Sequence, residues 1–220
     1  MKYYFLIVSQ LLSFNCFSQT KINTTLKKQL DSVMVLDQKY REALSLMMTD
    51  TSKTDSLAKV LNFPRKNLNG MLWKKQLAID SANVVFIEDI FKRYGYPGKS
   101  LVGTPTNETA WYIIQHSFKI PQYLPMMKEA GQKSELPFRL VAMMEDRYLM
   151  NENKEQVYGT QGTRRTLKNG KTEWIVWPIQ KPEQVNQRRK QAGFEQTVEE
   201  NAKTLGINYR VVKLSEVELK

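Results

Sequence analysis

Two long stretches of this chain space their apolar residues at the period of an α-helix, and that spacing limits the folds open to it more than any other feature. From Leu26 to about Met48, Val33, Leu36, Tyr40, Leu44 and Met47 form one stripe. From Pro64, tolerated in the first turn of a helix, to about Tyr94, Leu68, Leu72, Ile79, Phe86 and Ile90 lie near one face. Gly95 ends that helix and Pro97 follows two residues later. An apolar stripe needs a partner surface, so two long stripes predict helices packed on helices.

The rest of the chain extends this plan. The polar run Thr49 to Ser56 caps a short helix at Leu57 to Leu61, and a glycine-punctuated loop runs from Gly95 to Gly103. Next comes a short helix, Glu108 to Ser117. Its centre, Trp111-Tyr112-Ile113-Ile114, is apolar on every side and is predicted to be buried. Two further helices open at Pro121 and Pro137 and reach Gln132 and about Met150. After Asn153 the pattern changes. Val157 to Gln161 reads as a short strand, and Asn169-Gly170 ahead of Trp174-Ile175-Val176-Trp177 reads as a hairpin. Helices return at Pro182 to Gln191 and Glu195 to Leu205, and Tyr209 to Leu214 forms a last strand or a tail. The predicted fold class is mainly α: a single helical-bundle-like domain over residues 19–220 with a small C-terminal β-hairpin.

The first 18 residues have the three parts of a secretory signal peptide: Lys2, an apolar run from Tyr3 to Leu12, and small residues at Cys16 and Ser18 ahead of Gln19. The apolar run is about ten residues, whereas a bilayer span needs ~20. Lipid attachment through Cys16 is disfavoured, because Asn15 is a poor neighbour for that processing. The expected product is exported, periplasmic or extracellular, with no transmembrane segment after cleavage. It also lacks the chain's one cysteine, so its stability must come from its core.

The formal charge of +11 points to anionic partners, but the charges are spread along the chain, as on a solvated lysine-rich surface. Export argues against nucleic acid. Gly98-Lys99-Ser100 ends like a phosphate loop, yet Arg93 stands where the first glycine belongs and a helix precedes it, so nucleotide binding is rejected. The loop reads as a structural turn, with an anion site at a helix start as the alternative. No cofactor motif, no Gly-x-Ser-x-Gly elbow and no HExxH-like metal spacing is present. The one histidine, His116, follows Tyr112 by a helical turn. It reads either as a satisfied buried histidine or as a general base. Arg147 shares a face with Leu140, Met143 and Met144, so its guanidinium needs a partner: an acid of another helix, or a bound carboxylate or phosphate. Trp174 and Trp177 read as packing residues, with sugar stacking or a membrane interface as the alternative.

The polar residues, in order, resemble a known pattern: Asp37-Gln38-x-x-Arg41, Asp80-x-x-Asn83, Gly95-Tyr96-Pro97-Gly98-Lys99-Ser100-Leu101-Val102-Gly103, Ala110-Trp111-Tyr112-Ile113-Ile114-Gln115-His116, Asp146-Arg147 and Tyr158-Gly159-Thr160-Gln161. Over about residues 30–195 the chain resembles the bacterial family called domain of unknown function 6624. Tyr96 stands where that pattern has tryptophan, and Val84 where it has threonine. The resemblance implies no activity. It implies a signature of polar side chains, expected to converge in one cluster: Asp37, Gln38, Arg41, Asp80, Asn83, His116, Arg147, Tyr158 and Gln161. Two functions follow from such a cluster. One is a non-catalytic envelope or secreted module that binds a small anionic ligand or only fixes its fold. The other is a small-molecule hydrolase or lyase with His116 as general base, Asp37 or Asp80 orienting it, and Arg41 or Arg147 holding an anionic substrate.

Overall fold

The computed structural model describes residues 21–219; the expected signal peptide at 1–18, with Cys16, lies outside them. The two apolar stripes are the two longest helices, α1 (Thr24–Thr49) and α3 (Leu68–Tyr94). Asn23 caps α1, its side-chain oxygen accepting the Leu26 N–H at 3.0 Å. The left-handed φ of Gly95, +68°, stops α3 as expected. Leu26 and Leu30 near the start of α1 share an apolar cluster with Ile87, Ile90 and Phe91 near the end of α3. Ala43 and Leu44 in turn share one with Leu68 and Leu72. The two helices therefore run antiparallel.

Between them α2 (Thr54–Leu61) makes the turn. After α3 come α4 (Lys99–Val102), α5 (Thr109–Ile114), α6 (Ile120–Gln132) and α7 (Phe138–Asn151). The short helix α5 is buried through Trp111, Ile113 and Ile114, as its all-round apolar surface required. It is shorter than expected at both ends, because a 3-10 turn leads into it at Thr106–Glu108 and the chain bends away after Ile114. The Trp111 indole N–H donates to the Leu140 carbonyl at 2.7 Å and ties α5 to α7.

The hairpin forms where Asn169-Gly170 placed it. β1 (Gly162–Thr166) pairs antiparallel with β2 (Thr172–Val176), Arg164 opposite Trp174. Gly170 takes the left-handed φ of +82° that the turn needs. The two hairpin-region tryptophans divide: Trp177 is fully buried, its N–H on the Lys154 carbonyl at 2.7 Å, whereas Trp174 is exposed. Then α8 (Val185–Gln191) and α9 (Val198–Thr204) pack a second small core from Val185, Val198 and Ala202 against Val176 and Ile179. Tyr209 to Lys213 forms no strand.

The expected strand at Val157 to Gln161 does not form, for a physical reason. The Asp146 carboxylate, fully buried on α7, accepts the backbone N–H groups of Val157 at 2.7 Å, Tyr158 at 3.0 Å and Thr160 at 2.9 Å, and the Thr160 hydroxyl at 2.9 Å. Donors that would have built a ladder are spent on one side chain, so the segment wraps an anion. Gly159, with φ +67°, allows the wrap; a Cβ there would lie 2.7 Å from Val198 and 2.8 Å from Ile179. Asp146→Ala strands all these donors and is expected to cost about 3 kcal/mol in urea unfolding; a loss under ~1 kcal/mol would show that the loop stands without its carboxylate.

Candidate functional site

The seam between α1 and α3 is interrupted halfway by polar residues. On α1, Leu30, Asp37 and Leu44 are seven apart and all buried, so Asp37 occupies a core position. On α3, Gln76 and Asn83 fall in the same buried stripe as Leu72 and Ile87, with Asp80 beside them. One Asp37 oxygen accepts from Gln38 at 2.8 Å and from the Arg41 Nε at 3.3 Å, and the other accepts from Asn83 at 3.3 Å. Arg41 then reaches across to Asp80, Nη2 to Oδ1 at 2.5 Å. Gln76 donates to the same Asp80 oxygen at 2.7 Å and to the Asp37 carbonyl at 3.1 Å. Burial raises the Asp37 pKa, and the charge of Asp80 adds to that, while Arg41 and Asn83 oppose it. The layer is knit together and leaves one buried side-chain acceptor, Gln76 Oε1, without a partner among the described residues.

His116 stands where the chain turns away from α5 and is exposed. Its imidazole makes no hydrogen bond among the described residues, so the expected pairing with Asp37 or Asp80 is not formed; both acids are committed to Arg41 instead. Crowding of the ring is the first cause of a pKa lowered to about 4, and the Arg41 and Arg147 guanidiniums add to it, with Asp80 opposing. Water at the open edge screens part of these charges, but the direction is downward and the ring is neutral at pH 7.

Arg147 is half-buried on α7. Its Nη1 points at the Gln115 carbonyl, 3.4 Å away, the residue before His116. No carboxylate lies within ion-pair distance of it among the described residues. Burial lowers its pKa, and the charge that adds to the effect is Arg41, of like sign. This guanidinium is desolvated, faces another cation and has no acid to answer it.

Tyr158 and Gln161 are placed otherwise. They belong to the loop around Asp146, where the Gln161 amide donates to the Thr160 hydroxyl at 3.0 Å and the Tyr158 ring lies 6.2 Å from Phe194. The nine signature residues thus form two knots joined at α7, where Asp146 faces the loop and Arg147 the Gln115 carbonyl. The glycine loop holds no site for an external anion. Glu135 supplies its own carboxylate to the Ser100 N–H at 2.8 Å, and a Cβ on Gly98 would come within 2.2 Å of that carboxylate.

A family model described as a family of unknown function (DUF6624) matches residues 41–213. The chain belongs to that family. No curated protein and no solved structure is similar to it. Within the matched span, Arg41, Asp80 and Asn83 belong to the α1–α3 layer, which Asp37 and Gln38 complete from just ahead of the match; His116 and Arg147 adjoin it at the end of α5, and Asp146, Tyr158 and Gln161 make the loop. Gln76, Gln156, Arg189 and Asn107 are among the buried polar residues that escaped the sequence reading. Gln76 was detectable, since it sits on the apolar face of α3 between Leu72 and Asn83. Gln156, whose amide bridges the Gln161 and Trp177 carbonyls, carries no local signal, and neither do Arg189, under Phe194, or Asn107.

Because the chain has one histidine, its imidazole proton resonances can be followed without assignment. They are expected to titrate below the ordinary 6.5, toward about 4, and a midpoint at 6.5 would remove the two-guanidinium environment. A lowered folded-state pKa means that the unfolded chain binds the proton first as pH falls. Stability is therefore expected to drop between about pH 6.5 and pH 4 relative to a His116→Gln variant, which lacks that component of the slope.

Proposed function

We propose that this is an exported, non-catalytic module that binds a small anion between Arg147 and His116. The observation that carries the reading is Arg147: a half-buried guanidinium with no acid within ion-pair distance among the described residues, next to an imidazole that is neutral and unbonded. An anion in that place answers the stranded charge and accepts an N–H from the ring. Arg41 adds its charge nearby but spends two of its donors on Asp37 and Asp80.

The hydrolase or lyase reading needs a base held by an acid. Here the orienting carboxylates are occupied, and the imidazole, with its lowered pKa, is a weak proton acceptor. Binding is the function that this geometry supports best, and export follows from the composition of the N-terminus.

Anion binding has a direct readout. Acetate is expected to raise the His116 midpoint, since a negative charge beside the ring favours imidazolium, and to do so saturably. In Arg147→Met, with its stem length kept and its charge removed, the response is expected to weaken at least tenfold. An unchanged response in that variant, or none in the wild type, would overturn the reading.

A further inference from the structure

The turn that brings His116 to Arg147 continues directly into a cleft. Gln115 offers its carbonyl to Arg147, and the next residues, His116, Ser117, Phe118 and Lys119, form one wall. The other wall is the outer face of α3: Leu77, Asp80, Ser81, Val84, Val85 and Glu88. The cleft encloses about 450 Å³, a size suited to a small organic molecule.

Its charged residues are already matched. Asp80 is paired with Arg41, and Glu88 with Lys119 at 2.9 Å and with the Tyr123 hydroxyl at 2.9 Å. What stays uncovered between the two ion pairs is hydrocarbon: Phe118 is 87% exposed, Val85 68% and Leu77 59%. An aromatic ring on one wall and two aliphatic side chains on the other, all left in water, are a surface that gains by being covered. One end of that surface reaches His116, and through Gln115 the unanswered guanidinium. The other end is closed by a neutralised pair.

Charge also sets how much anion fits. Asp37 and Asp80 are both spent on Arg41, so among the described residues Arg147 is the guanidinium left to be answered; it balances one negative charge, and a second, carried into the cleft, would meet Asp80. A single charge set against the near side of Arg147 avoids that conflict. The planar fork of a guanidinium and one imidazole N–H match the two oxygens of a carboxylate.

We propose that the occupant is an amphipathic carboxylate: a monoanionic head at Arg147 and His116, and an aliphatic or aryl body lying in the cleft on α3 against Phe118. This rests on the reading of Arg147 and His116 as an anion site and adds the apolar half of the ligand.

The test compares acetate, octanoate and octylammonium as probes, with affinities read from the His116 resonances and from calorimetry. Octanoate is expected to bind at least tenfold more tightly than acetate, since covering two methylene groups suffices for about that factor. Octylammonium is expected not to bind. In Phe118→Ser and Val85→Ser, both exposed positions whose change leaves the core intact, octanoate is expected to fall back toward acetate while acetate is unaffected. Octanoate binding no more tightly than acetate would overturn the proposal and leave the anion site standing. Octylammonium binding as well as octanoate would overturn the head-group assignment. If none of the three probes binds, both readings fall.

Discussion

The carboxylate of Asp37 is fully buried between two long helices, and most of the molecule's polar organisation answers the cost of placing it there. Arg41, one turn along the same helix, bonds it and then crosses to Asp80, so one guanidinium ties α1 to α3. Gln38, Gln76 and Asn83 fill the remaining positions around the two acids. The layer separates two apolar clusters, Leu26, Leu30, Ile87 and Ile90 on one side and Leu44, Leu68 and Leu72 on the other. Hydrocarbon on hydrocarbon tolerates sliding by a turn, whereas a bidirectional ion bridge does not, so the layer fixes the register in which the helices meet.

That division of labour decides what the site can do. Because Asp37 and Asp80 are consumed by Arg41, neither is left to orient His116, and the imidazole stands beside cations with no acid bonded to it. Arg147 is in the complementary position: its neighbour Asp146 points into the 156–161 loop, so the two adjacent residues serve opposite sides of α7. A helix that presents an acid to one partner and a base to another links the bundle to the hairpin lobe. It also leaves the Arg147 guanidinium without a counterion among the described residues. The exposed hydrocarbon of Phe118, Val85 and Leu77 begins within three residues of that base's contact.

Much of this was legible in the residues. Both long helices, the buried α5, the proline-opened α6 and α7 and the Asn169-Gly170 hairpin followed from period, caps and turn chemistry, because those are local rules. Asp37, Arg41, Asp80 and Asn83 were recognisable as one group only through the family resemblance; helical spacing by itself pairs Asp37 with Arg41 and Asp80 with Asn83. The wrap around Asp146 was not legible: Val157 to Gln161 has strand-like composition, and only a carboxylate eleven to fourteen residues upstream diverts its N–H groups. The pairing of Glu135 with the glycine loop was hidden for the same reason, since the two segments meet only in the fold. Sequence spacing also could not show that His116 and Asp80, though they line one cleft, are not bonded.

The most direct measurement of the layer's role is a double-mutant cycle in urea between Arg41→Met and Asp80→Asn. A coupling free energy of about 1–3 kcal/mol is expected for a partly buried bridge that holds two helices in register. A coupling indistinguishable from zero would contradict it, and would mean that apolar packing alone sets how α1 and α3 meet.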